Sequence, residues 1–340
     1  MKNISFLLIV IFLSSCSYRA IEDIPTYFEL VNKAELSICK GEYQEASDFY
    51  DLSFKEIEKP LGKDVFNAAL ASQLADLPER RNQYLQILIN NLDEISFLKH
   101  KFVYSYMTKE EWQQLMDQRE LAYNTSLKEE MKQIVERDQH LRPMYDSHDE
   151  EINANRKMNL ARIFQMTDST GLPSQFELGY DDDLKGQDYH IVLHHTAQRR
   201  SRDKSVVDLE PFLLEAVEEG RIDPETAIFY MNFQNDPEKG RFEVYSSWQY
   251  QHDLLPDSLN NKVWRAKLTA EQKLAANKIR ANWHANSLED IAIKSKFVAN
   301  NDLPFIFSCV KNSIGKLKYD FDKATALEQY VAFTSFMEEN

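Results

Sequence analysis

The chain has 340 residues, a formal net charge of −15, 43% hydrophobic and 28% charged residues, so it is long enough for about two domains and too apolar for disorder. Only 8 glycines are present, and no two lie closer together than Gly179 and Gly186. A G-x-G-x-x-G dinucleotide turn, a G-x-x-x-x-G-K phosphate loop and a G-x-S-x-G nucleophile elbow are therefore absent, as are H-E-x-x-H and C-x-x-C.

The first sixteen residues carry the most specific local pattern. Lys2 precedes an apolar run from Ile4 to Leu13, and Leu13-Ser14-Ser15-Cys16 then matches a lipoprotein cleavage site. The run is too short to span a bilayer, which needs about 20 residues. Residues 1–15 read as a signal peptide, and Cys16 as the lipidated residue. Each buried acyl methylene contributes about 0.8 kcal/mol, so several chains hold a protein at a membrane. The expected address is the bacterial cell envelope, on the periplasmic side or the cell surface. Cleavage removes Lys2 and leaves 39 basic against 55 acidic residues, a net of −16. Such a balance excludes a basic field for nucleic acid. Cys39 and Cys309 are the remaining cysteines; an oxidising compartment permits a disulfide, and two buried thiols are the simpler expectation.

Residues 16–25 read as a tether. Over residues 26–107, Gly41-x-Tyr43-x-x-Ala46-x-x-x-Tyr50-x-x-Ser53 resembles the second helix of a tetratricopeptide repeat, with Ala34 in the small-residue slot of the helix before it. A second pair is expected at 64–75 and 78–92, with Tyr84 in the later aromatic slot. Two pairs are too few for a free-standing solenoid, so they should pack on the domain C-terminal to them. Residues 108–260 read as a helical domain. Thr108-Lys109-Glu110-Glu111 is a capping box, and the spacing of Trp112, Leu115, Met116, Leu127, Met131, Ile134 and Val135 predicts one long helix running toward Arg142. Helices are predicted over 151–166, with Ile152, Met158, Ile163 and Phe164 on one face, over 186–199, and over 206–219 ending at Gly220. A loop is expected over 167–183. Asp223-Pro224 opens a further helix to about residue 235. The best strand candidate is 241–250. In the C-terminal extension, 261–340, Thr269 and Ser287 open helices and Asp322 caps a final one; 305–310 reads equally as strand or buried helix. The fold class is mainly α: antiparallel, tetratricopeptide-like hairpins packed on a helical domain, with at most a small β element.

One stretch concentrates unusual chemistry. Asp138 and Arg142 are i, i+4; Asn159, Gly171, Pro173 and Gly179 come after them; then come His190, His194 and His195 on one predicted helix, Ala216-Val217-Glu218-Glu219-Gly220, Gly240 and Tyr245. At these residues, about 127–250, the chain resembles an uncharacterised bacterial domain family with the pattern D-x-x-x-R, asparagine, G-x-P, Q-H-A, A-V-x-x-G and G-x-x-Q-x-Y-G-T. His195 falls on the family histidine, with His194 and Thr196 in place of its glutamine and alanine. Glu243 replaces the last glutamine, and Ser246-Ser247 the glycine-threonine. The resemblance implies a shared fold and brings no activity.

Three readings of the constellation stay open. In the structural one, Asp138–Arg142 is an intrahelical ion pair and His195 a satisfied core histidine. In the metal reading, His190 and His194, one helical turn apart, would bind zinc with Asp138 or Asp188. In the acid–base reading, His195 is a general base oriented by Asp138, Arg142 holds an anionic group, Asn159 and Tyr245 complete the site, and Arg199, Arg200 and Arg202 supply further anion binding. The sequence places no nucleophile beside a base; Thr196, Ser246 and Ser247 are the candidates within the stretch. No cofactor motif is present. The leading expectation is a lipid-anchored helical module with the membrane and a protein or peptide as partners. The rival is a hydrolase-type enzyme built on His195, Asp138 and Arg142, with or without a metal.

Overall fold

The computed structural model of the chain describes residues 26–102, 105–140, 149–166, 172–181, 184, 189–234, 247–250, 263–266, 268–311, 315–317 and 337–339. Cys16 and the expected helix at Asp322 lie outside them. The architecture is mainly helical. Helices α1 (Tyr27–Lys40) and α2 (Tyr43–Glu56) form the first hairpin, and α3 (Gly62–Leu74) and α4 (Pro78–Asn91) the second. Thr26 caps α1 in a reciprocal box with Glu29. Gly41 closes the first turn at φ +79°, a left-handed conformation that costs glycine nothing. Ala34, Ala46 and Tyr50 are fully buried in the seam of the hairpin. Tyr43 is half-buried and stacks on Phe305 with ring centroids 6.3 Å apart. Helix α3 is central: every residue from Gly62 to Ser72 is buried.

After α5 (Ser96–Phe102), the expected long helix is two helices, α6 (Lys109–Asp117) and α7 (Thr125–His140). The Thr108–Glu111 box forms as its spacing predicts. The break has a local cause. Arg119 donates to the carbonyls of Ile89, Leu92 and Asp93 at the end of α4, and the Asn124 side chain caps α7 by accepting from the amide of Leu127 at 3.0 Å. Helix α8 (Asp149–Gln165) lies on α7. Ile152 and Ile163 are buried as expected, but Met158 is 52% exposed; Arg156, Asn159 and Leu160 take the buried face instead. Within the expected loop at 167–183, Ser174 and Glu177 box a short helix, α9 (Gln175–Leu178). The Tyr180 hydroxyl then donates to Pro60 O at 2.9 Å.

Helices α10 (His190–Arg202), α11 (Glu210–Glu218) and α12 (Pro224–Gln234) come next, starting four residues later than the sequence predicts for the first two. Asp223 Oδ1 caps α12 by accepting from the amides of Glu225 and Thr226. The strand expected at 241–250 is seen as β1 (Ser247–Tyr250); it pairs antiparallel with β2 (Val263–Ala266) and parallel with β3 (Gly315–Leu317), while β4 (Met337–Glu339) joins β2. The order is β3-β1-β2-β4. Thr269 and Ser287 cap α13 (Ala270–Asn282) and α14 (Leu288–Asn300). Residues 305–310 are neither one strand nor one helix. The Ile306 amide and carbonyl are held by the side chain of Asn67 at 2.8 Å each, and a short helix, α15 (Ser308–Lys311), then begins.

A buried ionic network locks the hairpins onto the C-terminal helices. The Lys63 ammonium contacts Asp64 at 2.6 Å, Asp223 at 3.2 Å and Glu35 at 3.9 Å. Glu35 also pairs with Lys294 of α14, which is wholly buried. Asp64 accepts from the Tyr27 hydroxyl at 2.5 Å, and Arg280 of α13 pairs with Glu225 of α12. Burial pulls the Lys63 pKa down, but Asp64, Asp223 and Glu35 outweigh it and hold the ammonium charged. Cys39 and Cys309 are both free thiols. Burial pushes Cys39, half-buried beside this network, up to about 12, and raises Cys309 as well.

Asp64 carries a testable consequence. Burial, reinforced by Glu35 and opposed by Lys63, pushes its carboxyl up to about 6. A folded pKa raised above the unfolded one gives stability that is present below about 4 and lost as pH rises through about 6. Asp64→Asn mimics the protonated form. The melting temperature of the variant minus that of wild type should therefore increase from pH 4.5 to pH 7; parallel melting curves across this range would refute the assignment.

Candidate functional site

The site forms where α7, α8, α10 and α12 meet. Asp138 sits in the last turn of α7 and His195 in the middle of α10, 57 positions apart in the chain and in direct contact: His195 Nδ1 lies 2.6 Å from Asp138 Oδ2. A carboxylate only accepts, so Nδ1 carries the proton of this contact. The Asp138 side chain is 2% exposed and that of His195 12%, so the carboxylate is sealed while the ring retains an edge toward solvent. Asp138 Oδ2 also accepts from Gln139 Nε2 at 3.0 Å.

The two helices that deliver this pair are tied down separately. Asn159, fully buried on α8, donates to Ile134 O, one turn before Asp138, and accepts from Nε of Arg137, the residue next to Asp138, both at 3.3 Å. Arg162 of α8 donates to both carboxylate oxygens of Glu130 on α7, through Nε and Nη2. On α10, Val192, Leu193, Thr196 and Ala197 are buried and fix the rotation that turns His195 toward α7.

His190 and His194 face α12, not Asp138. The His190 ring meets Tyr230 edge-on at 5.8 Å. His194 lies parallel to Phe229 at 5.6 Å, meets Phe233 edge-on at 4.4 Å, and its Nε2 is 2.8 Å from Gln198. Among the described residues, no group of three His, Cys, Asp or Glu side chains is placed to hold a metal ion. The candidate nucleophile Thr196 is fully buried and donates to Val192 O in its own helix at 2.8 Å, so its hydroxyl is turned away from His195 chemistry.

The arginines divide. Arg200 binds the carbonyls of Lys204 and Val206 and the carboxylate of Asp208, so it staples a loop and is not the anion site expected of it. The charge of Arg199 reaches Asp203. Arg202 is exposed in the last turn of α10, where a cation complements the helix dipole. Arg142, Tyr245, Ser246 and Asp188 lie outside the described residues; Ser247 is placed only by its backbone, on β1. Gln139, Arg137, Phe229 and Phe233 belong to the site although the sequence does not mark them as functional. Gln139 has a weak signal as the neighbour of Asp138; the phenylalanines have the four-residue spacing that usually marks a core face.

Of the large apolar side chains that are exposed among the described residues, Leu52 is the one that falls within 26–107, whereas Leu274, Ile279 and Ile293 lie on α13 and α14. No described helix is long and apolar enough to cross a membrane. No protein-family model, no curated protein and no solved structure matches the chain.

Asn159→Ala removes the two buried bonds that Asn159 makes to α7, leaving the exposed Arg162–Glu130 pair, and opens a small void. A loss of about 1–3 kcal/mol in unfolding free energy is expected from chemical denaturation; an unchanged midpoint would mean that these bonds do not hold the helices together.

Proposed function

We propose that this is a lipid-anchored protein of the bacterial cell envelope whose helical body carries a hydrolase-type acid–base centre, with His195 as the base and Asp138 as its orienting carboxylate. The observation that carries the reading is the 2.6 Å contact between His195 Nδ1 and Asp138. It supplies the second and third members of a relay: a buried carboxylate fixes the tautomer and holds the ring, and Nε2 takes a proton from a water molecule as that water attacks an electrophilic carbon or phosphorus. The proton then passes from Nε2 to the leaving group. The attacking group in this reading is water; Thr196, the hydroxyl next to His195 in the chain, is buried and donates to Val192 O. Gln139 keeps the carboxylate in place, and Asn159 holds the helix turn that presents it.

The address is inferred from the Leu13-Ser14-Ser15-Cys16 pattern, and the family resemblance at residues 127–250 supports Asp138, Asn159 and His195 as one unit. A protein- or peptide-binding role, suggested by the tetratricopeptide-like hairpins, would draw on the surface of residues 26–107. Leu52, 47% exposed, is a small basis for it.

Two experiments test this reading. Full-length protein should hydrolyse p-nitrophenyl acetate faster than background, and His195→Gln and Asp138→Asn should each lower the rate by about 10²–10⁴-fold while melting within a few degrees of wild type. Equal rates for folded wild type and His195→Gln would remove the proposal. In a bacterial host, labelled palmitate should be incorporated into wild type and not into Cys16→Ser, which should leave the membrane fraction; labelling of the variant would reject Cys16 as the anchor.

A further inference from the structure

Helix α12 carries more apolar side chains than its packing consumes. Ala227, Ile228, Met231 and Gln234 are buried at core spacing, with Tyr230 beside them. Phe229 and Phe233, four residues apart, form a second stripe on the same helix. Phe233 packs partly against the core, whereas Phe229 is 40% exposed. One exposed phenylalanine is ordinary on a protein surface. What distinguishes Phe229 is its place beside the acid–base pair.

The rings there form a continuous surface. His194 sits between Phe229 and His195, with its ring centroid 5.6 Å from the first and 5.8 Å from the second. Phe233 meets Phe229 edge-on at 4.9 Å and His194 edge-on at 4.4 Å, so it braces both. Helix α10 meets α12 at His190 and His194 and meets α7 at His195, and His194, His195 and Gln198 are all half-buried. They form a strip between the two flanking helices. One end of the strip is polar, the His195–Asp138 pair with Gln139 behind it. The other end is the face of Phe229. A surface braced in this way before a ligand arrives binds with little ordering cost.

We propose that Phe229 is the subsite for the apolar acyl chain of an ester whose carbonyl carbon lies at His195. The subsite rests on the acid–base role proposed for His195 and names a substrate class for it. Water adds to the ester carbonyl and gives a proton to His195 Nε2; the bond to the alcohol oxygen breaks, and that oxygen receives the proton, so the products are a carboxylic acid and an alcohol. An acetyl group is too short to cross the His194 ring, whereas an octanoyl chain extends over it to Phe229. Each methylene buried on the ring surface favours the longer ester by up to about fourfold. A charged or hydroxylated acyl group would forgo that gain and would have to shed its own water against the rings.

The test compares p-nitrophenyl octanoate with p-nitrophenyl acetate on full-length protein. Wild type should favour the octanoate by at least about tenfold in kcat/KM. Phe229→Ser should lower this preference at least about fivefold, and Phe229→Leu, which stays apolar, should keep most of it, both variants melting within a few degrees of wild type. A wild type without the preference, or a folded Phe229→Ser that retains it, would overturn the subsite and leave the His195 chemistry in place. If neither ester is hydrolysed, the acid–base reading fails and 2-decanone, an apolar chain on a carbonyl that water cannot cleave, decides the subsite. Saturable shifts of the Phe229 and His195 ring signals in wild type, with the His195 shift lost in Phe229→Ser, would sustain it; no shift would overturn it.

Discussion

Two buried lysines, Lys63 and Lys294, set the terms on which this fold assembles. Burying an ammonium group costs several kcal/mol unless carboxylates meet it, and removing one partner from such a pair costs about 3–5 kcal/mol. Lys63 and Lys294 are met by Glu35, Asp64 and Asp223, which come from α1, α3 and the start of α12. The hairpins can seat on the C-terminal helices only in the arrangement that gives each ammonium its partners. Apolar contacts alone would tolerate sliding by a turn. The charges do not, so their contribution is to registry more than to net stability.

That registry reaches the candidate site through α12. Asp223 both caps α12 and contacts Lys63, and Glu225 in its first turn pairs with Arg280. The helix so fixed packs against α10, where Phe229 and Phe233 close around His194. Helix α10 is then held on one flank by α12 and meets α7 on the other, where Asp138 sits in a turn braced by Asn159. The imidazole that results is neither free nor sealed. It is oriented from one side by a buried carboxylate and keeps one edge near solvent, which is what proton transfer to a bound water needs.

Much of the fold was legible because its signals are local. Thr108 with Glu111, Thr269 with Gln272, Ser287 with Asp290, and Asp223 before Pro224 all cap helices as their spacing predicts. The α6–α7 break was hidden because the apolar residues on its two sides, ending at Met116 and resuming at Leu127, fit one helical spacing. Its cause is tertiary: Arg119 reaches the end of α4, and no window of sequence contains that carbonyl cluster. The same limit applied to the ionic network. Lysine, aspartate and glutamate are surface residues by default, and nothing near Lys63 announces that α3 is enclosed on all sides. The Asp138–His195 pairing was approachable for a different reason. Its members are chemically unusual in their surroundings and share a pattern with Asn159, so chemistry suggested what periodicity could not. His190 and His194 show the converse. Their four-residue spacing fits metal chemistry equally well, and only the rings of α12 reveal that they are packing groups.

The central claim is that a carboxylate, held by α7, dictates which nitrogen of one α10 imidazole bears its proton. Long-range ¹H–¹⁵N correlation of ring-labelled histidine reads this directly. The account predicts that His195 is protonated on Nδ1, with a proton shifted strongly downfield by its short bond to Asp138, and that the downfield signal vanishes in Asp138→Ala. A ring protonated on Nε2 alone, or a spectrum indifferent to the loss of Asp138, would contradict it.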